Sequence, residues 1–164
     1  MNKTSIITVI IIVMGLVGLV FLGKSAQKNI PKENGIKSAL ITTESLYDFG
    51  TISMKDGDVT KEFTVTNPTL KDIFISTLVT SCMCTEAFMV GPDGTVKGPF
   101  GMSSMGYVPP VNDTIKAGES RIVRVVYDPN AHGPAGVGFV DRFVYLTDVS
   151  GSKLQLEIKA VVTP

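Results

Sequence analysis

Cys82 and Cys84, separated only by Met83, are the two cysteines of this 164-residue chain and its most chemically capable pair. Residues i and i+2 of a strand share a face, so in a strand both thiols would project the same way. Two converging thiolates suit a soft ion such as Cu(I), and methionine thioethers are compatible further ligands. Met83, Met89, Met102 and Met105 are near in sequence, and His132 is the only imidazole. The candidate metal set is therefore Cys82, Cys84, Met102, Met105 and His132. No cofactor is otherwise implied, and Cu(I) at this set is the one candidate. A lone Cys-x-Cys lacks the second ligand pair of zinc motifs.

Two other readings of the pair stay open. It could act as a thiol redox couple, although Cα atoms about 6.5–7 Å apart in an extended strand lie at the limit for a disulfide. A bend would be needed, and Met83 tolerates a bend less well than glycine. Alternatively, both cysteines are small apolar side chains packed at a strand end. Met102 and Met105 would then cover an apolar loop, and His132, before Gly133-Pro134, would be a solvated turn residue.

Little else in the chain could catalyse a reaction. General acid–base work needs titratable groups gathered around a pocket. There is one histidine, with neither a Gly-x-Ser-x-Gly elbow nor a phosphate-binding glycine loop. Asp48 and Asp128 read as turn and strand-end residues that accept backbone hydrogen bonds. The expected protein is not an enzyme and has no small-molecule substrate. Fifteen basic residues balance fifteen acidic ones, so no cationic field exists to neutralise phosphates, and nucleic acid is not an expected partner.

The elements that would carry these residues are strands. Leu154, Leu156, Ile158, Ala160 and Val162 alternate with Gln155, Glu157 and Lys159, which describes one buried and one wet face. Phe63 and Val65, Ile73 and Ile75, Arg121 to Tyr127 and Phe139 to Thr147 follow the same rhythm with β-branched and aromatic residues. Turn pairs punctuate them: Asp56-Gly57, Asn67-Pro68, Ala117-Gly118, Asp128-Pro129 and Ser150-Gly151. Tyr47 and Phe49 are expected core anchors. Sixteen glycines, nine prolines and no tryptophan suit such a turn-rich chain. The pattern predicts an all-β sandwich of about seven strands over residues 44–164. Residues 86–113, rich in Gly, Pro and Met, break the rhythm and read as a long connection of functional use.

Ahead of this domain, Thr4 to Gly23 form an uncharged run of twenty residues between Lys3 and Lys24. At 1.5 Å per residue it reaches about 30 Å, the thickness of a bilayer core. Residues 1–23 are read as a single transmembrane anchor, with the span ends at Ser5 and Gly23; an uncleaved signal is the other reading. The apolar part of a cleaved signal would be shorter, and Lys24 interrupts the small-residue cleavage pattern. Residues 24–43 are polar and read as a flexible tether, roughly 25 Å end to end as a coil. Positive charges after the span would by themselves hold the domain in the cytoplasm.

One resemblance is specific. Leu46-Tyr47-Asp48-Phe49-Gly50-Thr51-Ile52, Phe63-Thr64-Val65-Thr66-Asn67, Ser81-Cys82-Met83-Cys84-Thr85, Ile115-Lys116-Ala117-Gly118-Glu119, Val125-Val126-Tyr127-Asp128-Pro129 and Leu156-Glu157-Ile158 follow in order. The series resembles the bacterial family called domain of unknown function fifteen-seventy-three, over about residues 44–162. That family is similar to the immunoglobulin-like ASPM/SPD-2/Hydin and major-sperm-protein sandwiches. The resemblance implies a non-catalytic immunoglobulin-like sandwich on the outer side of the bacterial cytoplasmic membrane, against the count of charges. Two departures stand out: Met83 replaces the family's glycine between the cysteines, and the connection after Cys84 is longer. The function expected is a membrane-anchored, extracytoplasmic, single-pass module that binds or scaffolds an unidentified envelope protein. Soft-metal capture and thiol redox are the alternatives.

Overall fold

The alternation of the sequence becomes two stacked sheets in a computed structural model, which describes residues 38–164. Ten strands are present among these residues: β1 (Ile41–Thr42), β2 (Leu46–Ser53), β3 (Val59–Thr66), β4 (Ile73–Thr80), β5 (Thr85–Val90), β6 (Val96–Phe100), β7 (Asp113–Ile115), β8 (Ser120–Tyr127), β9 (Gly138–Asp148) and β10 (Lys153–Thr163). One sheet has the order β1-β3-β8-β5-β6 and the other β2-β10-β9-β4-β7. All pairings are antiparallel except β2 with β10, which run parallel along one edge. This is an immunoglobulin-like sandwich, as expected, with more strands than the predicted seven.

The core lies between the sheets and follows the period of two. Phe63 and Val65 from β3, Val123, Val125 and Tyr127 from β8, and Leu156, Ile158, Ala160 and Val162 from β10 are all buried. On β4 the alternation changes phase. Ile75 and then Leu78 and Thr80 face inward, because the register against β9 shifts between Ile75 and Thr77. Tyr47 and Phe49 pack against the core and meet each other edge to face, with ring centroids 4.9 Å apart. They are half-buried flanking residues on an edge strand. Gly50 explains the Asp-Phe-Gly element beside them. Its φ of 68° lets β2 bulge opposite β10, while its N–H donates to Asp48 Oδ1 at 2.8 Å.

Three expectations change. The strand count rises because β1, β6 and β7 are short pieces of two, five and three residues, formed in segments read as tether or connection. The sandwich also begins ahead of residue 44. Leu40 is buried in the core and Ile41–Thr42 pair with β3, so the last residues of the predicted 24–43 tether are part of the fold. Residues 86–113 are not one long connection. β5 and β6 form a hairpin across Gly91–Thr95, and Ala87, Met89 and Phe100 enter the core. Among the described residues no helix is long and apolar enough to cross a membrane. The predicted anchor, with its ends at Ser5 and Gly23, lies outside the described residues.

Candidate functional site

β4 and β5 belong to different sheets, and the turn that joins them holds the cysteines. The Thr85 N–H donates to the Cys82 carbonyl at 3.2 Å and closes the turn. The Thr80 hydroxyl donates to the same carbonyl at 3.0 Å, and Ser81 exchanges backbone and side-chain bonds with Phe143 on β9. Cys82 and Cys84 are thus not in a strand, as the sequence suggested. They are the first and third residues of a tight turn. Glycine residues hold all the positive φ values here except Asn112, so Met83 occupies its place without strain. The concern over Met83 disappears with the strand.

The turn brings the thiols together instead of merely aligning them. The Cys84 N–H points to Cys82 Sγ at 3.5 Å. His132 arrives from the loop after β8, where Asp128 Oδ1 accepts from the Asn130 N–H at 2.7 Å and bends the chain back. Its Nε2 lies 3.2 Å from Cys82 Sγ. Cys82 Sγ, Cys84 Sγ and a ring nitrogen of His132 all lie within 4.8 Å of one another. Both cysteines are free thiols; Cys84 is buried, Cys82 half-buried, and His132 exposed.

The methionine candidates follow the turn in the chain. Met102 bridges Thr80 and lines a neighbouring hollow with Met83 and Tyr107. Met105 ends the short 3₁₀ turn Ser103–Met105. Met89 is buried in the core.

Sequence reasoning missed Arg142. It sits on β9 between inward-facing Val140 and Val144, so the period of two turns its side chain toward the core. Its Nε donates to Cys84 Sγ at 3.1 Å and its Nη1 to the Asp141 carbonyl at 2.9 Å. An arginine in the inward phase of a strand was the available signal, since charges are rarely placed there without a partner.

These contacts divide the two thiols. For Cys82, burial pushes the pKa up, but hydrogen bonds from Cys84 and His132 and the Arg142 charge outweigh it, leaving about 7 against an ordinary 9.0. For Cys84, burial and the Cys82 contact hold the thiol above its ordinary value despite Arg142. Arg142 itself is held more firmly protonated. Burial opposes that charge, and the two sulfurs more than offset the cost. A shared proton with Cys82 as the more acidic member describes the pair.

Comparison with known proteins agrees with the fold. A protein of unknown function from Porphyromonas gingivalis W83 is similar with a TM-score of 0.54 and 12% identity, over 81% of this chain and 51% of that one. The secreted serine protease VesC of Vibrio cholerae gives 0.47 and 14%, over 76% and 24%. An ASH/PapD-like domain of human CEP192 gives 0.45 and 12%, over 77% and 87%. The chain therefore spans about half of the first protein and a quarter of the second, and such identities speak to fold alone. No curated protein matches the chain. Residues 40–97, from the start of the sandwich through the cysteine turn to β6, match the family described as protein of unknown function (DUF1573), which bears out the resemblance carried by Tyr-Asp-Phe-Gly and Ser-Cys-x-Cys-Thr.

Proposed function

We propose that the protein is a non-catalytic interaction module, tethered to the membrane and facing the envelope, which offers one pole of its sandwich to another envelope protein. The support begins with where the chain joins the fold. The Ser38 N–H donates to the Lys153 carbonyl, so the first described residue sits at the pole that carries the β9–β10 turn. β4 starts at that pole and runs eight residues to the cysteine turn. At 3.3 Å per residue the opposite pole is about 25 Å away.

The single observation behind the choice of pole is its distance from the point of chain entry, since Leu70 (97% exposed) and Val149 (69% exposed) give the near pole an apolar rim as well. Met83 is 50% and Tyr107 86% exposed, and both line a hollow of about 330 Å³ together with Met102, Glu86 and Val108. Methionine adapts to varied surfaces and tyrosine is a common interface anchor. A tether at the near pole would leave this rim free to meet a partner.

A photo-crosslinking residue at position 107 of the full chain, in its native membranes, tests the reading. A discrete adduct with another protein is expected, weakened by Met83→Glu, with none from the same probe at Thr64 on β3. Equal adducts from both positions, or none from position 107, would overturn it.

A further inference from the structure

Arg142 has no carboxylate within ion-pair distance among the described residues, although its side chain is half-buried and inward-facing. A guanidinium removed from water needs an anionic neighbour. Its hydrogen-bond partners are one peptide carbonyl and Cys84 Sγ. The Asp141 carboxylate acts on it only through space, so its one direct hydrogen bond to a group that can become an anion is the one to the cysteine turn.

We infer that Cys82, Cys84 and His132 form a binding site for one soft monovalent cation, Cu(I) by chemical class, with Arg142 as the counter-charge of the complex. This goes beyond the interaction reading and does not rest on it.

The donor set selects soft ions, because two thiolates and an imidazole include no hard oxygen ligand. The spacing suits a single ion. Donors bonded at about 2.0–2.3 Å to one metal stand roughly 3.5–4 Å apart, so a group already within 4.8 Å closes by shifts of under about 1 Å. The exposed His132 and half-buried Cys82 leave a way in from solvent. The Cys84 N–H and the Arg142 Nε–H are hydrogen bonds to sulfur of the kind that fix and tune metal thiolates.

Charge separates the possible metals. Binding releases a proton from each thiol that carries one, to solvent. Two thiolates and Cu(I) leave one negative charge, which Arg142 cancels. With Zn(II) the same ligands give a neutral centre, which leaves Arg142 uncompensated and a tetrahedral ion short of a fourth ligand. The site therefore favours the monovalent ion beyond the preference of sulfur alone.

The test uses the reduced full chain in detergent under anaerobic conditions, titrated with Cu(I) held by a chromophoric competing chelator. One equivalent should pass to the protein. Cys82→Ser, in a half-buried turn position, should abolish uptake while leaving the β-type circular dichroism unchanged. Arg142→Gln should weaken Cu(I) about 10–100-fold, as expected for an outer-shell partner, without weakening Zn(II). X-ray absorption of the Ag(I)-loaded protein should show two sulfur neighbours and one nitrogen. No uptake against the chelator, uptake unchanged in Cys82→Ser, or equal effects of Arg142→Gln on Cu(I) and Zn(II) would overturn the assignment. A disulfide that forms readily and excludes Cu(I) would assign the turn to thiol redox instead.

Discussion

Replacing Asn67 tests how this sandwich is held together at the pole that carries the β9–β10 turn. Asn67 is fully buried, and its amide uses every position it has. Nδ2 donates to the Lys71 and Ile115 carbonyls, both at 2.8 Å, while Oδ1 accepts from the Thr69 N–H at 3.0 Å and the Thr69 hydroxyl at 2.7 Å. One side chain thereby ties the β3–β4 turn to the end of β7. Four bonds at about 1 kcal/mol each set an upper scale of about 4 kcal/mol for Asn67→Ala. Thr69 and Lys71 lie in an exposed turn where water can replace part of the loss, whereas the Ile115 carbonyl is left without a donor in the interior. The expected cost is about 3 kcal/mol. With a urea slope of about 1–3 kcal/mol/M, the unfolding midpoint should fall by roughly 1–3 M. The full chain in mild detergent, followed by tyrosine fluorescence, reports this directly. Asn67→Asp keeps the two accepting bonds but turns oxygens toward two carbonyls, so it should cost at least as much. Burial raises the new carboxyl's pKa in the fold, so that loss should shrink as pH falls and the folded state takes up the proton. A midpoint shift below about 0.3 M for Asn67→Ala, or a stable Asn67→Asp at neutral pH, would refute the reasoning.

Iodoacetamide should modify Cys82 first, with half-maximal rate near pH 7, and Arg142→Gln should move that midpoint upward, as pH-resolved mass spectrometry can show. Phe63→Ala should cost about 3–5 kcal/mol in urea unfolding, because Phe63 is buried in the core. Phe139→Ala, at a site 68% exposed on the outer face, should stay within about 0.5 kcal/mol. Deleting residues 1–36 should leave a folded monomer with a β-type circular dichroism spectrum on size exclusion, since the core draws on Leu40 and later residues.

The long strands were readable because each pairs a wet face with a buried one. β3, β8 and β10 show the alternation in sequence and the same alternation in burial. What the sequence hid was short or anomalous. β6 contains Gly98 and Pro99, which speak against a strand, yet it is an edge strand where a missing donor faces outward. β1 and β7 are too short to establish a period. The bulge on β4 puts Leu78 in the core three residues after Ile75, a spacing that strict alternation does not foresee.

The candidate site was half legible for a related reason. Residue type alone singled out Cys82, Cys84 and His132, but what gathers them is a turn bond between Cys82 and Thr85 and an Asx turn at Asp128, neither of which has a period. The methionines were grouped by closeness in sequence; Met89 goes into the core, while Met102 lines a hollow beside the cysteine turn with Met83 and Thr85. Arg142 shows the opposite error. It lies 58 residues from Cys84, yet the alternation of β9 already turned it inward. An apolar side chain would fill that position at less cost than a half-desolvated guanidinium. The arginine is therefore explained by what it faces, the cysteine turn, where its charge helps to lower the pKa of Cys82 and would balance the anionic complex that two thiolates form with a soft monovalent ion.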